Sequence, residues 1–388
     1  MDPWIAEAAE RIAARAPEEL ERLVAVSSPS GDIAGADEAI DVAISLAPAG
    51  VRAERAPCSS PDHADDLILT LRGNAPSGRI VLLGHVDTVH SHADHRALED
   101  QGDRLVGSGS VDMKAGDVLA LGVLRELSGR PETFNEVAVL LVCDEEWRAG
   151  DFVHTERFAG WDACLCFEGG ELTEDGEEAV VVRRKAAGTL QVLAHGRKAH
   201  SGSAPDKGAN ALLALASAAQ AVATRHDPHG AARLTAVPTV INCGEAFNVV
   251  PGAGELLCDL RADDVETFEI VLAALPADVD GVRLESALLR RWPSMDSHEQ
   301  TATLLTAAAD RLGRPIVGAS RGGASDASYM APHIPITIDG LGPRGGGAHT
   351  PDEYVVTASL RERAEVALAI VDAVLFGRAR LPATVRHL

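Results

Sequence analysis

What this 388-residue chain has little of narrows its class first. Aromatic residues make up only 3% of it while hydrophobic residues reach 46%, so the core must be assembled mainly from Ala, Val and Leu. Positive charge is short: 35 Lys and Arg stand against 58 Asp and Glu, a net charge of −23. That sign argues against nucleic acid or an anionic membrane as partner and raises the local concentration of divalent cations. No apolar run approaches the about 20 residues of a membrane span. The six cysteines form no CxxC pair, and most sit inside apolar runs, which points to reduced core thiols. The N-terminal MDPWIAEAAE carries acids where a secretory signal needs basic and then apolar residues. A cytoplasmic protein is the expectation. Internal repeats and low-complexity blocks are also missing, and composition is that of a globular chain.

Periodicity divides the chain in three. Residues 3–26 read as an amphipathic helix with Ile5, Ala8, Ile12, Leu20 and Leu23 on its apolar side. Strand-like runs at 67–71, 80–83 and 137–143 then alternate with helical stretches such as 118–127. Such alternation predicts an α/β sheet with helices on both faces, whose functional groups collect beyond the carboxyl ends of the strands. Between 187 and 292 the texture changes to a strand at 189–194, an Ala-rich helix at 210–223 and alternating segments such as 256–261. This is the mark of a compact α+β unit inserted into the first. After Pro293 the αβ pattern returns, with a helix at 299–312, a strand at 334–338 and a last helix at 357–376. The expected organisation is an α/β domain in two parts, 1–186 and 293–388, around an α+β unit at 187–292. The glycine-rich stretch 342–347 is expected to be a flexible loop leading into His349.

Acids and histidines gather at strand ends. The apolar run 137–143 stops abruptly at Asp144, Glu145 and Glu146, and charges in such a place must be paired, hydrated or bound to metal. His85 and Asp87, in GHVDTV, follow another strand and lie on one side of an extended backbone. A carboxylate beside a histidine fixes its tautomer in the manner usual at zinc, although a plain hydrogen-bonded His–Asp pair would read the same way. Asp112 occupies a glycine-rich loop, GSVDMK, just before a helix, where capping is the alternative to ligation. Glu168 ends another apolar run, and His349 follows the glycine loop. Two imidazoles and several carboxylates converging at one end of a sheet suit a pair of zinc ions with one carboxylate bridging. A glutamate left over can then serve as general base toward water.

Taken together, GHVDTV, GSVDMK, DEE, Phe167-Glu168 and GAHTPDEYV resemble, in order and spacing, a superfamily of dinuclear zinc peptidases and amidohydrolases. It includes glutamate carboxypeptidases, acetylornithine deacetylases and succinyl-diaminopimelate desuccinylases. The resemblance runs from about Glu18 to the last helix. It implies a zinc-dependent α/β catalytic domain with an inserted α+β lid that forms a homodimer, and two Zn2+ per subunit, with Co2+ or Mn2+ as substitutes. His85 and Glu168 would hold one zinc, Glu146 and His349 the other, with Asp112 bridging and Asp87 steering His85. Glu145 would be the general base, taking a proton from a water held between the metals as it attacks an amide carbonyl. It would later return a proton to the leaving amine. Asp144 is expected to orient the loop or a ligand.

The resemblance extends to the inserted unit. There GRKAHSG carries the histidine that family members direct to the partner subunit's site. His200 would hydrogen-bond the tetrahedral oxyanion, an exposed turn histidine being the alternative. Asn248 and Arg261 fall on positions that contact substrate in this pattern. Two places depart from it. Lys114 is followed by Ala115 and Gly116 where two glycines are common, a change expected to matter little. Trp147 and Arg148 follow DEE where glycine is common, which puts the shape of that loop in question. His90, His92 and His95 fall in a region variable among relatives and are expected to be solvated.

The clue to substrate is Ser320-Arg-Gly-Gly-Ala-Ser-Asp326. Its glycines permit close backbone approach to a ligand, and Arg321 offers a planar fork suited to a carboxylate. A structural salt bridge is the alternative for Arg321. In this register the segment resembles the glutamate carboxypeptidases. The expected reaction is release of a C-terminal, acidic amino acid from a small N-acyl or peptidyl substrate. An N-acyl-amino-acid deacylase, of the desuccinylase or acetylornithine deacetylase type, and a dipeptidase would share the same metal centre. A non-catalytic binding protein of this fold would have lost Glu145 or a ligand. A single-metal structural protein would need neither the Glu145–Glu146 doublet nor His200.

Overall fold

The computed structural model describes residues 1–148 and 150–377. The described residues form two compact units: Met1–Arg183 with Asp296–Ser320 and 325–377, and Arg184–Met295 with Arg321–Ala324.

The first unit is built on a six-stranded mixed sheet, ordered Arg52–Ala56, Asp66–Arg72, Glu136–Val142, Arg79–His85, Ala163–Cys166 and Thr337–Ile338. The last four are parallel to one another and the first two pair antiparallel. Helices cover this sheet, so its strands read as unbroken apolar runs rather than alternating ones; Leu67–Leu69, Ile80–Leu83 and Val137–Val142 are all buried. The helix Pro3–Val24 packs on Ser359–Gly377 and on Ala115–Ser128. It starts where Asp2 accepts the Trp4 amide at 2.8 Å and Pro3 supplies a preset φ.

The helix Ala115–Ser128 approaches the sheet most closely at Gly116, where a Cβ would lie 1.9 Å from the carbonyl oxygen of Phe167. Of the pair Ala115–Gly116, it is the second that must stay bare. Gly116→Ala is expected to cost about 1–3 kcal/mol, read as a lower denaturant midpoint at an unchanged m-value.

Two segments differ from expectation. Within 334–338 only Thr337–Ile338 is strand. Pro335 has no amide proton to give, and the Ile334 amide donates to the Met330 carbonyl at 2.9 Å, prolonging the turn after Ala327–Met330. The glycine-rich stretch is not loose throughout: Gly345 pairs with Val355 and Gly346 with Tyr354. This hairpin belongs to a four-stranded sheet ordered Gly345–Gly346, Tyr354–Val356, Arg104–Val106 and Glu99–Asp100. At Gly345 a Cβ would lie 2.0 Å from the Tyr354 carbonyl oxygen, so glycine serves close pairing there rather than freedom.

The second unit is a five-stranded antiparallel sheet, ordered Thr235–Cys243, Ala253–Ala262, Ala186–His195, Val282–Trp292 and Asp278–Val279. Helices Ala211–Ala223 and Phe268–Leu272 contribute Leu215, Phe268 and Val271 to a core with Leu190, Val192, Leu256 and Leu260. Asn210 caps the first of these helices through the amides of Leu212 and Leu213. All six cysteines are free thiols. No helix among the described residues is long and apolar enough to cross a membrane.

Candidate metal centre

Three adjacent parallel strands of the first unit end at one place. Arg79–His85 is flanked by Glu136–Val142 and Ala163–Cys166, and their carboxyl ends deliver His85, then Asp144, Glu145 and Glu146, then Glu168. The small sheet supplies the remainder. Arg104–Val106 runs into the loop bearing Asp112, and its neighbour Tyr354–Val356 pairs with Gly345–Gly346 to carry His349 in the intervening turn. His349 takes a left-handed φ of 64° there.

These elements bring two donor sets together, His85, Asp112 and Glu168 in one, and Asp112, Glu146 and His349 in the other. The Asp112 carboxylate divides between them. Its Oδ1 lies 3.2 Å from His85 Nε2, and its Oδ2 3.1 Å from His349 Nε2. His85 Nε2 is 3.8 Å from Glu168 Oε1, and His349 Nε2 is 3.3 Å from Glu146 Oε2. Donors about 2 Å from a tetrahedral zinc lie about 3.3 Å from one another, so both sets fit such an ion. Their chemistry fits too, with nitrogen and carboxylate oxygen in each. Asp112 does not cap the helix that follows, whose start has no side-chain cap.

Electrostatics point the same way. Hydrogen bonds to Asp112 and Glu146 push the His349 ring up to about 10. Burial opposes protonation of His85, yet its bonds to Asp112 and Asp87 hold it well above the ordinary range. Burial would raise Asp112, but His349 and His85 hold its carboxyl below the usual range. Glu145 is raised by burial, with the Glu168 carboxylate adding to the effect. The cluster thus demands positive charge, which protons on two imidazoles supply and divalent cations would replace.

The residues behind the donors were only partly legible in the sequence. The Asp87 backbone carbonyl faces His85 Nδ1 at 3.0 Å, its carboxylate lies 3.4 Å from the same nitrogen, and it also accepts the amides of Glu145 and Glu146, each at 3.1 Å. Asp87 therefore pins the acidic turn as well as the histidine. Glu353 lies inside GAHTPDEYV, but nothing in that motif assigns it a role. Its buried carboxylate accepts the amides of Gly109 at 2.8 Å, Val111 at 2.8 Å and Asp112 at 3.0 Å, and meets His90 Nε2 at 3.1 Å. The only local hint was its place four residues after His349. His90 is accordingly buried rather than solvated, because Glu353 meets its ring. Both ring nitrogens of His95 are also shielded from water, whereas His92 is exposed and bonds Ser27 Oγ. Glu353→Gln would turn part of this acceptor into a donor facing backbone amides. It is expected to weaken metal affinity about 10–100-fold, measured by competition with a chromogenic chelator.

The other expected site residues belong to the second unit. His200 is exposed on the short strand Ala199–His200, which pairs with Val249–Val250, and Asn248 is exposed just before that partner strand. The Arg261 guanidinium is held by Asp259, with Nη2 2.9 Å from Oδ1. Arg321 ends the strand Ile316–Arg321, and its carbonyl accepts the Lys185 amide at 3.2 Å.

Residues 81–373 match the model of peptidase family M20/M25/M40. The chain is 25% identical over 372 residues to carboxypeptidase G2 of Pseudomonas sp. (strain RS-16), covering 91% of this chain and 87% of that one. It is 27% identical over 340 residues to a succinyl-diaminopimelate desuccinylase of Rhodospirillum centenum, covering 81% and 86%. An M20 family metallo-carboxypeptidase from Sulfolobus solfataricus shares the fold with a TM-score of 0.74 at 15% identity, over 93% of this chain and 99% of that one. With the family match spanning most of the chain, this protein belongs to peptidase family M20/M25/M40, as a metal-dependent peptidase or amidohydrolase.

Proposed function

We propose that this enzyme hydrolyses the amide between an acyl or peptidyl group and a C-terminal acidic amino acid, in the manner of a glutamate carboxypeptidase. The observation that carries the hydrolytic reading is the pair of donor sets sharing Asp112, with Glu145 next to Glu146 but outside both. His85, Asp112 and Glu168 would hold one divalent cation, and Asp112, Glu146 and His349 the other, two zinc ions per subunit. When bound, such ions supply Lewis-acid polarisation of the scissile carbonyl and make water acidic enough to yield a nucleophile near neutral pH. Glu145 takes the proton of the attacking water and passes one to the departing amine. A carboxylate withdrawn from bulk water is a stronger base than one in it, which suits this task.

In the lid, the second unit, His200 Nδ1 accepts the amides of Gly202 and Ser203 at 3.1 and 3.2 Å, which leaves its proton on Nε2. A neutral histidine so set is a donor, and this supports an oxyanion role, played in the partner subunit of a homodimer. Val237, Val240 and Ile241 exposed on the edge strand Thr235–Cys243, and Leu213 on the helix beside it, support a protein partner on the lid. His200→Ala is expected to lower kcat about 100–1,000-fold at unchanged metal content. Mixed with an Asp112→Ala chain it should recover activity, and no recovery would place the histidine in its own subunit's site. Six free thiols accord with a reducing, cytoplasmic compartment.

In this reading Arg321 anchors the free carboxylate of the released residue, through its fork and the bare backbone of Gly322 and Gly323. Asn248 and Arg261, the latter oriented by Asp259, are the further contacts. Similarity to carboxypeptidase G2 over 91% of the chain supports it. A second reading, an N-acyl-amino-acid deacylase, is favoured by the similarity to desuccinylases. Amine release decides between them, measured with zinc or cobalt and then with chelator. The panel would hold N-acyl and peptidyl glutamates, N-acetylornithine, N-succinyl-diaminopimelate and a neutral dipeptide. Chelator-sensitive preference for glutamate release is expected; preference for a diamino product moves the enzyme to the deacylases.

A further inference from the structure

The acidic turn continues into Trp147 and Arg148, where the family pattern commonly has glycine. Trp147 is exposed, but Arg148 is only 2% accessible. An arginine is buried so fully only when its charge is met, and two carboxylates meet this one. Arg148 Nη2 and Nε donate to Asp144 Oδ1 at 2.7 and 3.2 Å. Nη2 also donates to Asp326 Oδ2 at 2.8 Å, and Nη1 to Asp326 Oδ1. The second oxygen of Asp144 accepts the Ser60 amide at 2.8 Å. The guanidinium lies 4.7 Å from the Phe152 ring centre and 5.7 Å from that of Tyr329, and those two rings stack at 5.6 Å.

The placement of this triad matters more than its energy. A buried ion-pair triad adds little net stability over apolar side chains of the same volume. What it does add is fixed geometry, since a planar fork admits few orientations. Asp144 directly precedes Glu145, and Asp326 leads into the helix Ala327–Met330. Asp87 already holds the amides of Glu145 and Glu146 from one side. Arg148 holds the preceding residue from another.

We propose that Arg148 is a positioning residue for the general base, which clamps Asp144 to Asp326 and thereby fixes the turn presenting Glu145 and Glu146. It acts through these residues and does not touch reacting atoms. The inference rests on Glu145 being the base.

Arg148→Lys and Asp326→Asn, singly and combined, test it. Lysine donates from a point and cannot serve both carboxylates as a fork does; asparagine keeps the shape of aspartate without its charge. A displaced base is expected to lower kcat about 100-fold in each single variant, with KM within about two-fold of the parent. The double variant should be no slower than the slower single one, because either change breaks the same link. As a readout apart from turnover, the visible absorption of the Co2+-loaded variants should shift, since Glu146 shares the turn. Parental kcat and spectrum in the folded variants, or losses that multiply in the double variant, would overturn the proposal. So would failure of both single variants to fold, which would make the triad a purely structural element; if only the lysine variant fails, Asp326→Asn carries the test. Glu145→Gln serves as control. If that enzyme stays active the base assignment itself is wrong, whereas an inactive Glu145→Gln beside fully active Arg148→Lys and Asp326→Asn would remove the positioning role alone.

Discussion

A Glu145→Ala enzyme is expected to keep its full complement of metal and to turn over about 10²–10⁴-fold more slowly. In the proposed site the ligand atoms would come from His85, Asp112, Glu168, Glu146 and His349, and Glu145 belongs to neither donor set, so cutting it back should strip no donor. The turn should also survive, because what Asp87 grips at this position is the backbone amide, at 3.1 Å, and alanine retains it. On the proposed roles, only the proton acceptor would be lost. The measurement pairs kcat with metal per chain, determined on the same sample. Turnover near the parental value would take the base role away from Glu145, and loss of metal would make it a ligand.

Asp112→Ala is expected to be more severe, with activity falling to background and metal lost on dialysis. Both donor sets contain Asp112, and one oxygen faces each imidazole. In the proposed site its removal would take a ligand from two ions at once. The loss should therefore exceed the about 10–100-fold typical of residues that only support ligands. Glu145, Glu146 and Glu168 would remain close together without the group that joins them, so neither site is expected to survive alone. Metal analysis after dialysis checks this, and an unchanged metal content would show that Asp112 is no ligand.

The contrast between DEE and the residues behind it shows what was legible in the chain. An apolar run that ends in three acids is a local feature, and its meaning follows from the alternation of strands and helices around it. Glu353 is different. It lies 244 positions from Gly109, whose amide it accepts, and nothing near either residue announces the pairing. His90 read as solvated for the same reason, because its partner is 263 positions away. Arg148 read as a disturbance of a loop, and became a buried tie only once Asp326, 178 positions on, was found against it. The glycines of 342–347 suggested freedom, yet Gly345 and Gly346 are ordered by a strand that composition could not name. At Ile334 the local apolar pattern favoured a strand, but the neighbouring Pro335 and the turn after Met330 decided otherwise.

The sequence by itself determined the α/β class, the acidic character and the family, because periodicity, charge count and motif order are properties of neighbours along the chain. It also named the carboxylates and imidazoles that gather at the strand ends. The pairing of His85 with Glu168 and of Glu146 with His349, with Asp112 between them, was already implied by the family resemblance. Only the tertiary structure gave it distances and showed that Glu353 and Arg148 bond to the segments carrying these residues. The reason is physical. A buried charge or amide is stabilised by whatever lies within a few ångströms, and chain folding sets that neighbourhood without regard to sequence distance.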